Sequence, residues 1–182
     1  PNCVTTAAIH NEVPKYMHAA PIPANEAERL QALRNLLVLD TPPNERFDRV
    51  VRFAVEELDV PIALVSLVDA HRQWFKSNVG LLGLSETARE VAFCDHTIRS
   101  EALLEVEDTT QDQRFARNPL VVDGPHIRFY AGAPVRAPSG ERVGTLCVID
   151  TRPRELGLIE RAVMSALSQL VNEALAGKQG EA

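Results

Sequence analysis

Pro61-Ile-Ala-Leu-Val-Ser-Leu-Val-Asp-Ala-His-Arg-Gln-Trp-Phe-Lys-Ser-Asn-Val79 is the stretch where the apolar period of this chain changes. From Pro61 to Val68 the residues are apolar on both alternating faces and rich in β-branched side chains, the pattern of a central strand covered on both sides. Asp69-Ala70-His71 reads as a turn that leaves His71 solvated, and Arg72 to Val79 as a returning strand. Strands tied by so short a turn are antiparallel.

Upstream the period is helical. Phe47, Val50, Val51, Ala54 and Leu58 form one stripe that ends near Asp59, because the residue before Pro61 avoids helical angles. Thr41-Pro42-Pro43-Asn44-Glu45 looks like the start signal, with Thr41 as cap and Pro42 at the first helical position. An earlier helix begins at Asn25 and places Leu30, Leu33 and Leu37 at helical spacing. Residues 1–23 carry Pro14, Pro21 and Pro23 and no apolar period, so they read as a tail or linker.

Downstream, residues 80–127 are mixed. They contain a loop at Gly80 to Glu90, a short helix around Phe93 to Arg99 and a strand at Leu103 to Val106. Asp108 to Leu120 is a loop with a helical turn, and Asp123-Gly124-Pro125 is a turn. Arg128 to Ala137 and Glu141 to Asp150 are strands joined by Pro138-Ser139-Gly140, a second hairpin. A last helix spans about Glu155 to Ala176, its stripe Leu156, Ile159, Val163, Leu167, Leu170 and Ala174, with Gly177 as its stop. That stripe suits a helix–helix seam as well as a core face. The order predicts an α+β domain over residues 24–177, with 178–182 as a tail. Terminal helices cover one sheet face and the irregular middle covers the other.

The 182 residues suit one domain. Hydrophobic residues make up 45% and charged residues 24%, ordinary globular values that exclude disorder and coiled-coil composition. A net charge of −6 gives nucleic acid no general attraction. Val60 to Val68 is the longest near-apolar stretch, well short of the about 20 residues of a membrane span. Cys3, Cys94 and Cys147 make no disulfide framework, which points to a reducing, cytoplasmic setting. The chain starts at Pro1 rather than Met, as a segment of a longer parent would.

The stretch from Val60 to Ser77 resembles the GAF domain family. So do Phe93-Cys-Asp-His-Thr-Ile98, Asp112-Gln-Arg-Phe-Ala-Arg-Asn-Pro-Leu120, Ile127-Arg-Phe-Tyr-Ala-Gly-Ala-Pro-Val135 and Gly144-Thr-Leu-Cys-Val-Ile-Asp150. The similarity covers roughly residues 25–176 in order, and the chain resembles bacterial sensory members, which often sit ahead of diguanylate cyclase or histidine kinase modules. The resemblance implies a sheet of about six antiparallel strands, a ligand pocket under the irregular middle and a homodimer through the terminal helices. An output module would then lie in a longer parent or act in trans. The Asn-Lys…Phe…Asp-Glu signature of cyclic-nucleotide-binding members is not found here. Asp95 separates Cys94 from His96, unlike the Cys-His pair through which bilin-binding members attach pigment. The cysteine set of the free-methionine-sulfoxide reductases is also missing.

Among candidate site residues, Cys94 and His96 invite a nucleophile-and-base reading. Adjacent helical residues point about 100° apart, however, so Cys94, Asp95 and His96 cannot form a triad with one another. A buried thiol beside a pocket histidine is the plain alternative. Cys147 in a central strand reads as a core thiol, or as a redox partner of Cys94 across the pocket. Zinc would need more converging ligands than Cys94, His96 and distant His126 supply. Alternation sets Phe129, Ala131, Ala133 and Val135 on a small apolar face for the helices, and Arg128 and Tyr130 on the other. There Arg128 needs Asp108, Asp112 or an anionic ligand as partner. Arg114 and Phe115 either close the pocket or belong to the core. Trp74 packs in the core, under the loop at Gly80 to Leu84. No phosphate loop is present, so no cofactor and no metal are expected. The functional expectation is a sensory domain that binds a small molecule through Arg128, Tyr130, Cys94, His96, Arg114 and Phe115, and is not an enzyme. The alternative is a small redox enzyme using Cys94 and Cys147.

Overall fold

The computed structural model describes residues 19–177; most of the N-terminal tail, Cys3 and the C-terminal tail from 178 lie outside that range. Two helices come first, α1 (Glu26–Asn35) and α2 (Glu45–Leu58). The hairpin β1 (Ile62–Val68) and β2 (Arg72–Val79) follows, then a short β3 (Glu86–Ala88) and a 3-10 turn at Arg89–Val91. The middle continues through α3 (Phe93–Thr97), β4 (Leu104–Val106) and α4 (Pro119–Val122). The second hairpin, β5 (Phe129–Arg136) and β6 (Arg142–Asp150), leads to α5 (Leu158–Gly177). The strands form one antiparallel sheet in the order β3-β2-β1-β6-β5-β4. β1 sits between β2 and β6, and every one of its residues is buried, as its two-sided apolar pattern requires.

Local chemistry explains the borders. α2 is capped by Asn44, whose side chain accepts from the Arg46 backbone N–H. The expected cap at Thr41 is therefore displaced by three residues, because Thr41 Oγ1 is occupied with the Val38 carbonyl and the Lys76 ammonium. α2 ends where Asp59 takes a left-handed conformation, φ 48°. α5 starts at Leu158, three residues later than its pattern implies.

Strand parity sorts the core into two clusters. Ala63, Val65, Leu67, Phe129, Ala131, Ala133, Val135, Leu146 and Val148 point to α1, α2 and α5. There they meet Leu33, Phe47, Val51, Leu58, Met164 and Val171, each buried to 1% exposure or less. Each such side chain contributes about 1.5–3 kcal/mol by leaving water. Trp74 opposes Leu67 in register and belongs to this cluster, so its indole packs on the helix side and not under the Gly80 loop. The other face carries Leu64, Phe75, Tyr130, Cys147 and Ile149, covered by α3 and by the segment holding Phe115 and Val121.

The α5 stripe divides. Leu167 and Ala174 are buried with Met164, Val171 and Leu175, whereas Ile159 is 80% and Leu170 50% exposed. With Phe53 of α2, 48% exposed, Leu170 borders an open groove of about 750 Å³ between α2 and α5. Arg49, Arg52, Glu56 and Glu173 rim it.

Candidate functional site

The pocket side is organised by one short helix and two strands. α3 lies over the sheet with Cys94 directed at β6. Three residues on, Thr97 falls on the same helical face and reaches Tyr130 of β5. Tyr130 can lie in this way only because position 132 is glycine: a Cβ there would stand 2.2 Å from the Tyr130 hydroxyl and 2.8 Å from Thr97 Oγ1. Gly132 pairs in register with Cys147 and Tyr130 with Ile149, so all four line the same face.

The result is a ring of hydroxyls and thiols. Cys94 Sγ lies 3.8 Å from Cys147 Sγ. It accepts from Thr145 Oγ1 at 2.9 Å and from the Tyr130 hydroxyl at 3.4 Å. Thr97 and Tyr130 are themselves 2.7 Å apart. Burial pushes the Cys94 thiol up, but hydrogen bonds with Cys147, Thr145 and Tyr130 outweigh it and bring Cys94 down to about 7. The Cys147 thiol is held high by its neighbour Cys94 and by burial. Tyr130 is held high by burial and by the sulfurs.

Beside the sulfurs is a cavity of about 50 Å³. Leu64, Phe75, Phe93, Cys94, Tyr130 and Cys147 form its inner wall, and Leu84 and Pro125 stand at its outer end. Gln73, 5% exposed, also lines it. Its Oε1 finds no hydrogen-bond partner among the described residues, and neither does the fully buried Ser66 Oγ. A buried acceptor without a donor costs roughly 1–3 kcal/mol, so this wall is chemically incomplete.

The six sequence candidates part company here. Cys94 and Tyr130 line the cavity. Phe115 lies one layer behind, stacked on Phe93 with centroids 4.3 Å apart. His96 and Arg114 pack on Phe115 from outside, at 4.8 Å and 5.1 Å. Burial holds His96 below its usual value, which favours neutral imidazole. Arg114 is engaged by Asp112 through two hydrogen bonds. Arg128 precedes β5, and its guanidinium donates to the Val121 and Ile127 carbonyls at 2.9 and 3.1 Å. The expected pairing with Asp108 or Asp112 is thereby corrected: Asp112 belongs to Arg114, and Asp108 caps the turn at Thr110. Carbonyls satisfy the charge because Arg128 stands at the strand edge, half-buried, where the chain of α4 turns back.

An ion chain runs from the same helix. Asp95 accepts from Arg89 Nε at 2.9 Å, and Arg89 Nη1 continues to Glu26 of α1. Arg29 grips Glu26 with two bonds of 2.8 and 2.9 Å and donates to the Val68 carbonyl at 2.6 Å. Arg29, Arg89 and Asp95 are all 4% exposed or less. Burial pushes Glu26 up, but the two guanidiniums bring its carboxyl down to about 2. Sequence reasoning missed this chain, as it missed Ser66, Gln73, Thr97 and Thr145. Strand parity alone could have found Ser66 and Thr145, which oppose each other in register.

A six-stranded antiparallel sheet, with helices on one face and a short helix closing a cavity on the other, is the GAF architecture. The chain belongs to the GAF domain family, whose model matches residues 42–175. A cyclic di-GMP phosphodiesterase of Pseudomonas aeruginosa is 40% identical over 138 residues, which are 76% of this chain and 23% of that protein. The chain thus spans about a quarter of the length of this curated relative. The GAF domain of an Acinetobacter phosphoenolpyruvate-protein phosphotransferase superposes with TM-score 0.63 at 16% identity, covering 85% of this chain and 96% of that one. A free methionine-R-sulfoxide reductase from Neisseria meningitidis does so with TM-score 0.62 at 12% identity, covering 91% and 98%. At such identities the two structures speak for the fold. The chain is a GAF domain of the bacterial signalling kind. Among the described residues no helix is long and apolar enough to cross a membrane, and no group of three or more His, Cys, Asp or Glu converges on a metal site.

Proposed function

We propose that this chain is the regulatory, non-catalytic unit of a bacterial signalling protein, holding a small neutral molecule in the cavity under α3. The observation that carries the reading is Gln73 Oε1, a buried acceptor without a partner among the described residues, in the wall of a mostly apolar cavity. It asks for a ligand of few heavy atoms that offers one N–H or O–H. Arg128 and Arg114 are engaged elsewhere, so the anionic ligand expected from Arg128 finds no free cation in this wall. An amino-acid-sized sulfoxide exceeds about 50 Å³, which favours the regulatory reading over the sulfoxide-reductase alternative.

The output follows from the ion chain and the helix face. Asp95, Arg89, Glu26 and Arg29 join the helix that closes the cavity to α1 on the other side of the sheet. A ligand that shifts α3 biases α1 through these bonds. The exposed Phe53, Ile159 and Leu170 then form the seam of a cytoplasmic homodimer. The name of the Pseudomonas aeruginosa relative supports an output module that handles cyclic di-GMP, outside this chain. Methanol, with two heavy atoms and one O–H, is the probe. Amide shifts are expected at α3 and at Glu26, and Gln73→Leu is expected to abolish both. Arg89→Gln keeps the first and loses the second. Saturating methanol that moves no cavity amide in the wild type would refute the ligand reading.

A further inference from the structure

We propose that Cys94 and Cys147 are a peroxide-reactive dithiol: a hydroperoxide that enters the cavity under α3 converts them into an intramolecular disulfide joining α3 to β6. The inference does not depend on a resident ligand.

Geometry carries it. The two sulfurs are 3.8 Å apart, on different elements and 53 positions apart in sequence. An S–S bond of about 2.05 Å needs them about 1.8 Å closer, a movement within reach of a five-residue helix that lies on the sheet by its side chains. Both sulfurs face the cavity, whose volume of about 50 Å³ admits a hydrogen peroxide, a molecule only one oxygen larger than water. Core cysteines that serve only packing sit among carbon atoms. Cys94 instead accepts from Thr145 and Tyr130, which stabilise a thiolate at that atom, and the thiolate is the nucleophilic form. Ser66 Oγ, with no hydrogen-bond partner among the described residues, is one more buried hydroxyl on the sheet face that carries Cys147.

The chemistry balances in two steps. The Cys94 thiolate attacks one oxygen of the hydroperoxide; the S–O bond forms, the O–O bond breaks, and the departing oxygen takes up the proton that Cys94 gave up on ionising. Water leaves when the reagent is hydrogen peroxide, and Cys94 is a sulfenic acid. Cys147 sulfur then attacks Cys94 sulfur; the S–S bond forms, the S–O bond breaks, and the oxygen leaves as water with the Cys147 proton. Two thiols have lost two electrons to one peroxide. An external dithiol reverses the change by thiol–disulfide exchange and is itself oxidised to a disulfide. Cys94, whose sulfur accepts the two hydroxyl hydrogen bonds, is suited to the first step, and Cys147, the sulfur it faces, to the second.

The disulfide would pull α3 toward β6 and with it Asp95, which holds Arg89 and through it Glu26. Oxidation therefore acts on the same ion chain that leaves α3 for α1.

The test uses the full chain and hydrogen peroxide. Reduced protein is treated with one to ten equivalents, quenched in acid, alkylated under unfolding conditions and digested. The expected result is a loss of about 2 Da in the intact chain, one cross-linked peptide pair containing Cys94 and Cys147, and full reversal by dithiothreitol. Cys147→Ala is expected to leave a sulfenic acid at Cys94 that dimedone traps, while Cys94→Ala leaves Cys147 alkylatable. Wild-type mapping alone decides the matter should either variant fold poorly. Cys94 and Cys147 both fully alkylated after ten equivalents, or a bridge that uses Cys3 in place of either, would overturn the proposal.

Discussion

The two faces of the sheet are built from the same strands by the same alternation, yet they are different materials. On the helix face β1, β5 and β6 contribute Ala63, Val65, Leu67, Ala131, Ala133, Leu146 and Val148, all apolar and packed on the stripes of α2 and α5, and the one buried ammonium of β2, Lys76, is paired with Thr41 and the Pro42 carbonyl. On the pocket face the same strands contribute Ser66, Gln73, Tyr130, Thr145 and Cys147 among their apolar residues. Of the three buried side-chain atoms without a hydrogen bond among the described residues, two, Ser66 Oγ and Gln73 Oε1, belong to that face. Apolar packing is satisfied by shape alone, whereas hydroxyls, amides and thiols each need a directed partner. The difference teaches that shape alone completes the strands' packing on one face, whereas the other also asks for directed partners.

The sharpest way to break that contrast is to remove one large side chain from the helix face. Phe47 is fully buried between α2 and the sheet, and Phe47→Ala is expected to cost about 3–5 kcal/mol in urea unfolding. A loss below 1 kcal/mol would mean that the helix face is not the stabilising one.

The ion chain that ties the two faces together comes next. Arg89→Met leaves Asp95 buried and without its Arg89 partner, and Glu26 with Arg29 alone; about 3 kcal/mol is expected, from the uncompensated charge. Asp95→Asn combined with Arg89→Met should recover part of that loss, a coupling that a double-mutant cycle measures.

The same chain sets a pH window. The Glu26 carboxyl is about 2 in the folded protein and 4.5 in the unfolded chain. A depressed carboxylate stabilises the fold above the unfolded value and loses that contribution as pH falls through the folded one. Stability is therefore expected to decline from about pH 4.5 to pH 2, and Glu26→Gln should flatten that part of the curve. An unchanged curve would remove Glu26 from the account.

The smallest change in stability is expected at the outer rim of the helix face. Leu170→Glu lies at a half-exposed position and should alter unfolding by no more than about 0.5 kcal/mol. Light scattering should nevertheless show the proposed dimer falling to monomer. A wild-type protein that is monomeric at high micromolar concentration would end the dimer proposal.

Much of this was legible in one dimension. The uninterrupted apolar run of β1 announced a strand buried on both sides, and the two short turns announced antiparallel hairpins. Alternation along β5 assigned Phe129, Ala131, Ala133 and Val135 to the helices correctly. The same alternation placed Tyr130 on the pocket face, and the quoted motifs pointed to the GAF family over roughly residues 25–176, of which its model matches 42–175. Near neighbours were harder to judge: Thr41 was a chemically sound cap for α2, but Asn44 outcompeted it once Lys76 had engaged the Thr41 hydroxyl.

What the amino-acid order determined by itself was therefore period and parity: which segments are helix or strand, and which side chains share a face. Both are properties of a backbone a few residues long, and hydrophobic burial reads them directly. Which faces meet was decided by the tertiary structure. It brought Cys94 to Cys147 across 53 positions and Glu26 to Arg89 across 63, turned Arg128 away from both aspartates, and left Gln73 Oε1 without a donor among the described residues. A thiol, a carboxylate and a guanidinium carry no period of their own. Their partners are set by how helices and loops close over the sheet, and that is settled by the packing of the whole core.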